Sequence, residues 1–370
     1  MFFTVLVVLL GLLMLWALPA LLFKGRDHAR FDGPGEERFG EGVPPSAQAQ
    51  DVLALLSELR AKLQGVPRNQ HLAALRKAMD DAFADRTFDM RIEPVDCDGV
   101  PAEWVVASNA DLSRRTLYIH GGAFFVGSPR SHRTLTSRIA QLTGGPVLAI
   151  DYRLMPEHRR LAGIQDCRTA YNWLLANGPA GAQAARCVFV GGDSAGGNLT
   201  LSLIAWLRDQ GLRAPDAAFA FSPATDATFG SPSLRSNRAT DALLGPMLGG
   251  LVKVPVALLL WGSFFGARMN PRNPWVSPLL GDLSGLPPLL VQASRTEMLL
   301  DDARRYVNKA RAAGSPVRLQ TWDHMVHVWQ IFNPELPEAN QALDELGKFL
   351  ATAAPALAVG PGDAPARAAP

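Results

Sequence analysis

Residues 187–196 read CVFVGGDSAG, and this stretch decides the fold class of the 370-residue chain. Residues 187–190 are an apolar run typical of a buried strand, and residues 199–207 continue beyond the serine as a Leu-rich helix. Between them lies the pattern G-x-S-x-G, in which a serine occupies a sharp strand-to-helix turn above a sheet. The flanking positions are glycine because side chains would clash in so crowded a turn. The stretch therefore predicts that Ser194 is a nucleophile.

A second glycine-rich motif, HGGAF, occupies residues 120–124 and also follows an apolar run, at residues 116–119. Its glycines leave backbone N–H groups free to face the oxyanion of a tetrahedral intermediate. A glycine-rich turn with an incidental serine would explain G-x-S-x-G alone. It would not explain the strand–turn–helix setting together with this second motif. The two motifs indicate acyl transfer through a serine nucleophile.

A serine needs a base to remove its proton, and the base needs an acid to orient it. In enzymes with this serine turn, the acid and then the base follow the nucleophile along the chain. His324 and His327 are the two histidines after Ser194, and both follow an apolar run at residues 317–322 that is typical of a last strand. Chain order therefore leaves two candidates for the base.

The acid is expected after the preceding strand, at residues 289–292. Three carboxylates follow that strand: Glu297, Asp301 and Asp302. Acidic residues are also common in the first turn of a helix, where they face the positive end of the helix dipole. That explanation suits two of the three, and the residue pattern alone leaves the acid open.

From about residue 116 to residue 350 the chain resembles the hormone-sensitive-lipase-like group of α/β-hydrolases, the bacterial esterases that carry an HGG motif. The resemblance rests on motifs that occur in the same order as in that group. They are HGGAF at 120–124, DYRLMPEH at 151–158, GDSAGG at 192–197, SPATD at 222–226, NPWVSPL at 273–279, GLPPLLVQ at 285–292, EMLLDD at 297–302 and HVW at 327–329. A segment GSPRSH at 127–132 is most similar to the branch that contains acetyl-hydrolases and monoterpene ε-lactone hydrolases.

The resemblance implies an α/β-hydrolase fold, with a mostly parallel sheet covered by helices on both faces and a helical cap. It implies that Ser194 is the nucleophile, His327 the base and Glu297 the acid. The oxyanion contacts it implies are backbone N–H groups, those of Gly121, Gly122 and Ala195. Such a site hydrolyses esters through an acyl-enzyme and requires neither a metal nor an organic cofactor.

The expected substrates are small-molecule esters with short to medium acyl chains. One alternative keeps the same machinery and acts on a lactone or on the acetyl ester of a specific small molecule. An alternative of another class is a ligand-binding receptor on a non-catalytic hydrolase scaffold, because a fold does not determine a function.

Composition is that of an ordinary enzyme domain. Hydrophobic residues make up 48% of the chain and charged residues 19%, and the formal net charge of +2 gives no case for nucleic-acid binding. The three cysteines, Cys97, Cys167 and Cys187, lack the paired spacing of a disulfide framework or a zinc site.

Residues 1–23 are uncharged and almost wholly apolar, a length that suits a transmembrane helix. A signal peptide normally carries positive charge before its apolar stretch, whereas here Lys24, Arg26 and Arg30 follow it. These features predict an uncleaved membrane anchor, a single N-terminal span. The basic flank then places the catalytic domain in the cytoplasm.

The rest of the chain divides by composition. Residues 24–50 are predicted to be a linker, residues 51–90 two N-terminal cap helices, and residues 91–350 the catalytic domain, with a cap contribution at about 227–270. Within that contribution, residues 243–265 carry one charge, Lys253, and are expected to form a cap helix on the core or an apolar wall that guides an acyl chain. Residues 351–370 are rich in Ala and Pro and are predicted to be a disordered tail.

Overall fold

The computed structural model describes residues 1–355, apart from the side chains of residues 6–10, 12 and 13. Its strands are β1 (Glu37–Phe39), β2 (Arg91–Asp96), β3 (Pro101–Val106), β4 (Arg114–Ile119), β5 (Val147–Ile150), β6 (Asn177–Gly178), β7 (Gly181–Ala182), β8 (Cys187–Asp193), β9 (Ala217–Phe221), β10 (Leu289–Ser294) and β11 (Val317–Trp322). Its α-helices are α1 (Phe2–Leu22), α2 (Ala47–Leu63), α3 (His71–Asp81), α4 (Arg133–Thr143), α5 (Arg160–Ala176), α6 (Ser194–Asp209), α7 (Ser233–Ser236), α8 (Leu244–Leu248), α9 (Val256–Ala267), α10 (Leu300–Ala312) and α11 (Pro337–Ala353).

Within residues 1–355, nine strands form one sheet in the order β1-β11-β10-β9-β8-β4-β5-β3-β2. β3 pairs antiparallel with β2 and with β5, and the remaining pairs in this sheet are parallel. β6 and β7 form a separate two-residue hairpin. The prediction of a mostly parallel sheet is confirmed.

Helices cover both faces of the sheet, because successive strand residues point to opposite sides. On β4, Leu117 and Ile119 pack in one core with residues of α5 and α6. Tyr118, between them, packs in a second core with residues of α4 and α11. All three side chains are fully buried, which explains why the central strands are continuous apolar runs instead of alternating ones.

The structure contradicts the prediction that the N-terminal helix spans a membrane. In the part of the chain that the structure describes, no helix has both the length and the apolar character needed to cross a bilayer. The predicted anchor at residues 1–23, and the membrane-anchored localisation derived from it, are therefore wrong. α1 contacts α9: Trp261 Nε1 donates to the carbonyl of Leu15 at 3.1 Å, and Phe23, just after α1, stacks on Phe264 with ring centroids 4.8 Å apart. The prediction rested on apolar composition alone, and side chains such as Phe2, Phe3 and Leu21 are exposed.

Part of the predicted linker is ordered against the sheet. β1 pairs parallel with β11 and extends the sheet by one edge strand. Upstream of β1, Asp32 forms an ion pair with Arg305, and Glu36 lies 3.0 Å from Arg304. At the other end, α11 continues to Ala353, so it includes the first three residues of the predicted tail. Residues 356–370 of that tail lie outside the described residues.

Candidate active site

Ser194 lies where β8 meets α6, near the middle of the sheet. Its φ of +51° is in the left-handed region, as a sharp strand-to-helix turn requires. The turn packs directly on β4: a Cβ added to Gly192 would approach the carbonyl oxygen of Ile119 to 2.3 Å, and one added to Gly196 would approach it to 1.9 Å. Backbone cannot yield to such contacts, so both positions need glycine.

The structure brings Ser194, His327 and Glu297 together. Ser194 Oγ lies 2.9 Å from His327 Nε2, and His327 Nδ1 lies 2.6 Å from Glu297 Oε2. Both His327 and Glu297 are buried. An ionised carboxylate only accepts hydrogen bonds, so the imidazole proton belongs on Nδ1. Nε2 is then the acceptor for the Ser194 hydroxyl.

The sheet topology explains this meeting. Ser194 follows β8, Glu297 follows β10, and His327 follows β11, and these strands run parallel. The carboxyl ends of parallel strands lie at one edge of a sheet, where open α/β sheets bind their ligands. Residues 133 positions apart in the chain can therefore share a hydrogen bond.

The other candidates for acid and base lie in different contacts. Asp301 accepts a hydrogen bond from the backbone N–H of Ser233 at 2.8 Å and pairs with Arg304 at 2.8 Å. Asp302 Oδ1 accepts the backbone N–H groups of two residues after β9, those of Thr225 at 2.7 Å and Asp226 at 2.8 Å. His324 is exposed. Asp301 and Asp302 thus fasten α10 to the segment that follows β9.

The charge state of His327 depends on its neighbours. Burial by itself lowers the pKa of His327, but the hydrogen bond from Nδ1 to Glu297 and the charge of that carboxylate outweigh burial and raise the pKa above its usual value. The charges of Asp241 and Asp193 act in the same direction. The site therefore favours the imidazolium that forms when His327 takes a proton from Ser194.

Gly121 differs from its predicted role. Its backbone N–H donates to Asp193 Oδ1 at 3.0 Å, and a residue has only one such donor. Among residues 1–355, in contrast, the N–H groups of Gly122, Ala123 and Ala195 have no acceptor. Ala123 and Ala195 also line the cavity above Ser194. Gly121 is thus held by a carboxylate, and the N–H groups of Gly122, Ala123 and Ala195 are the ones left without an acceptor.

Asp193 anchors this loop, a role that motif reading did not identify. It is buried, accepts the Tyr118 hydroxyl at 2.7 Å, and lies 3.4 Å from His132 Nε2. Burial raises the pKa of Asp193, but the charge and hydrogen bond of His132 outweigh it and the net direction is downward. The sequence evidence for this contact lies in the GSPRSH and GDSAGG motifs, which contain His132 and Asp193.

A cavity of about 280 Å³ opens above Ser194. Its walls are largely apolar, with side chains that include Leu234, Leu244, Leu248, Leu251, Val252 and Leu259. Residues 243–265 contribute both α8 and α9 to this region, so they form a cavity wall as well as a packed helix. An apolar cavity beside a nucleophile suits a hydrocarbon chain.

The comparisons with known proteins agree with this architecture. A family model described as an alpha/beta hydrolase fold matches residues 116–331. An acetyl-hydrolase of Streptomyces hygroscopicus is 40% identical over 253 residues, 68% of this chain and 80% of that protein. An esterase of Acinetobacter venetianus is 36% identical over 298 residues, which is 79% of this chain and 93% of that protein. The crystal structure of an esterase from the bacterial hormone-sensitive lipase family superposes with a TM-score of 0.72 at 36% identity and covers 84% of this chain and 99% of that one.

Proposed function

Because this chain belongs to the α/β-hydrolase family and, within it, to the hormone-sensitive-lipase-like esterases, we propose that it hydrolyses short- to medium-chain carboxylic esters through a Ser194–His327–Glu297 triad. The chain is a carboxylesterase-like hydrolase, and its esterase relatives favour an enzyme over the receptor considered above. The observation that carries the proposal is the continuous hydrogen-bonded series from Ser194 Oγ through His327 to Glu297, at 2.9 Å and 2.6 Å.

In the acylation step, Ser194 Oγ attacks the ester carbonyl carbon while its proton moves to His327 Nε2. Glu297 holds the Nδ1 proton and stabilises the imidazolium. The negative charge that develops on the carbonyl oxygen is met by the backbone N–H groups of Gly122, Ala123 and Ala195. His327 then protonates the leaving alcohol, the C–O bond breaks, and the acyl group remains on Ser194.

In the deacylation step, water replaces the alcohol. His327 removes a proton from the water as it attacks the acyl carbon, and the same three N–H groups meet the second oxyanion. His327 then returns the proton to Ser194 Oγ and the carboxylic acid leaves. Both steps need a neutral imidazole at the start.

This need predicts a pH dependence. Activity requires unprotonated His327, and its pKa is raised by the Glu297 hydrogen bond and by neighbouring carboxylates despite the opposing effect of burial. We therefore expect kcat/KM to increase with pH and to reach half its maximum above the ordinary histidine value of about 6.5. The measurement is kcat/KM between about pH 5 and 9 on a p-nitrophenyl ester, a substrate that does not itself titrate in that range. A midpoint below about pH 6 would contradict the assigned environment of His327.

The cavity walls predict a selectivity for acyl length. Leu248 on α8 lines the cavity and is 37% exposed, whereas its neighbour Met247 does not line the cavity and is 54% exposed. Leu248→Trp should fill part of the cavity and lower kcat/KM for the longer acyl chains on the order of tenfold relative to acetate, the loss of about two buried methylenes. Met247→Trp is the matched control and should leave the chain-length profile unchanged.

The measurement is kcat/KM for p-nitrophenyl esters of increasing acyl length. Equal profiles for the wild type and Leu248→Trp would show that the acyl chain does not occupy this cavity. An ε-lactone and an acetylated alcohol should be tested in parallel, since the similarity to an acetyl-hydrolase favours an acetyl ester as the second candidate substrate.

A further inference from the structure

The loop that carries Glu297 is held by the start of the cap. We call residues 295–298 the acid loop and residues 237–241 the cap root. Asn237 Nδ2 donates to two carbonyl oxygens of the acid loop, those of Arg295 at 3.0 Å and Glu297 at 2.9 Å. Thr240 Oγ1 donates to the carbonyl of Thr296 at 2.9 Å. The position of the acid loop therefore depends on the cap root.

Asp241 completes this contact and extends it into the cap. Its Oδ2 accepts the backbone N–H of Met298, the residue after Glu297, at 2.8 Å. Its Oδ1 accepts the N–H groups of Leu243 at 3.0 Å and Leu244 at 2.7 Å, where α8 begins. One buried carboxylate thus joins the acid loop to the helix that lines the cavity.

The charge of Asp241 has no basic partner. Within residues 1–355, no Lys, Arg or His side chain forms an ion pair with this carboxylate, which is 2% exposed. Hydrogen bonds from three backbone N–H groups stabilise the buried carboxylate in place of a counter-ion. The backbone N–H groups that it accepts satisfy its oxygens but do not neutralise it.

Arg238 and Lys253 line the same surface cavity as Asp241. The charge of Asp241 raises the pKa of Glu297 and also acts on the imidazole of His327. Three carboxylates act on it: Glu297 from the acid loop, Asp241 from the cap root, and Asp193 beside the nucleophile. Each favours the imidazolium and raises the pKa of His327. Glu297 does so through a direct hydrogen bond, whereas Asp241 acts through space and through the position of the acid loop.

On the basis of the proposed function, we propose that Asp241 is a positioning residue of the triad: it fixes the acid loop through Met298, adds a second negative charge behind His327, and links both to the cap. The imidazolium forms in each transition state, so a negative charge near it lowers the barrier more than it stabilises the resting enzyme. Because Asp241 also holds the start of α8, displacement of that helix by an acyl chain would reach Glu297 through one side chain.

The test is the pH dependence of Asp241→Asn. Asparagine has nearly the same shape and carries no charge. Its single amide oxygen can accept either from Met298 or from the start of α8, and its NH2 group then faces the other N–H donors. We expect kcat to fall about tenfold with a smaller change in KM, and the midpoint of the acid limb of kcat/KM to move to lower pH by on the order of one unit. The direction follows because removal of a negative charge makes the imidazolium easier to deprotonate.

Thr240→Val is the matched control. It removes one hydrogen bond to the acid loop and no charge, so its acid limb should stay at the wild-type pH even if its melting temperature falls. Asp241→Asn with a lower melting temperature and an unmoved acid limb would overturn the proposal, because a merely structural residue behaves in that way. The proposed function fails separately, if Ser194→Ala remains active.

Asp241→Glu keeps the proposal testable if Asp241→Asn does not fold. It retains the charge but moves the carboxylate by one methylene relative to the Met298 N–H. We expect the acid limb to stay near the wild-type pH while kcat falls severalfold, because the acid loop is no longer held in register. Wild-type kcat in Asp241→Glu would show that the contact with Met298 has no positioning role.

Discussion

Ser194→Ala should lower ester turnover by about 10⁴-fold or more and leave the fold intact. The loss is large because the serine forms the covalent bond to the acyl group, and the triad acts as a unit. The fold should survive because alanine is smaller than serine and the substitution removes only the Oγ contact with His327 at 2.9 Å. The crowded glycines on either side of the turn are untouched.

The measurement is kcat/KM on a p-nitrophenyl ester with purified protein, alongside a thermal melt of the same preparation. The melt separates a catalytic loss from unfolding. Purified Ser194→Ala that is folded and retains more than a tenth of wild-type activity would contradict the serine-hydrolase mechanism.

Glu297→Gln should have the second-largest effect, a loss of roughly 10²–10⁴-fold in kcat. Glu297 is fully buried against His327 Nδ1, so the charge that stabilises the imidazolium acts without solvent screening. Glutamine fills the same space but carries no charge, and its amide can favour the wrong tautomer of His327. The loss should appear in kcat more than in KM.

Asp301→Asn and Asp302→Asn are the matched controls for Glu297→Gln. Their carboxylates bind backbone N–H groups away from His327, so these variants should lower the melting temperature more than the rate. Burial raises the pKa of Asp302 to about 7. Since part of the Asp302 population is then uncharged near neutral pH, asparagine is a mild replacement there. A larger loss of turnover in Asp301→Asn than in Glu297→Gln, with an unchanged melting temperature, would show that the acid is misassigned.

The central strands were the most predictable part of the fold. The run at residues 317–322 coincides with β11. β8 continues to Asp193 and β10 to Ser294, beyond the predicted ends at residues 190 and 292. Strands buried on both faces are continuous apolar stretches bounded by turns, so they stand out from the sequence. The polar ends of these strands do not stand out in this way, although the functional residues follow directly after them.

The contacts that the sequence could not predict depend on tertiary neighbours. Gly121 carries an N–H like that of any glycine in the motif. Only the packing of β4 beside β8 shows that this N–H donates to Asp193. Asp241 accepts a hydrogen bond from Met298, 57 residues further along the chain, and no sequence motif contains both residues. The N-terminal helix was misjudged because hydropathy reports only that a segment is apolar.

The role of Ser194 can be measured as the mass of the protein after reaction with diethyl p-nitrophenyl phosphate, an ester analogue that phosphorylates activated serines. We expect inactivation in step with one added diethylphosphoryl group per chain, located on Ser194 by peptide mapping, and no adduct on Ser194→Ala. Full inactivation with the group on another residue, or continued hydrolysis by a chain fully modified at Ser194, would contradict the claim that Ser194 is the nucleophile.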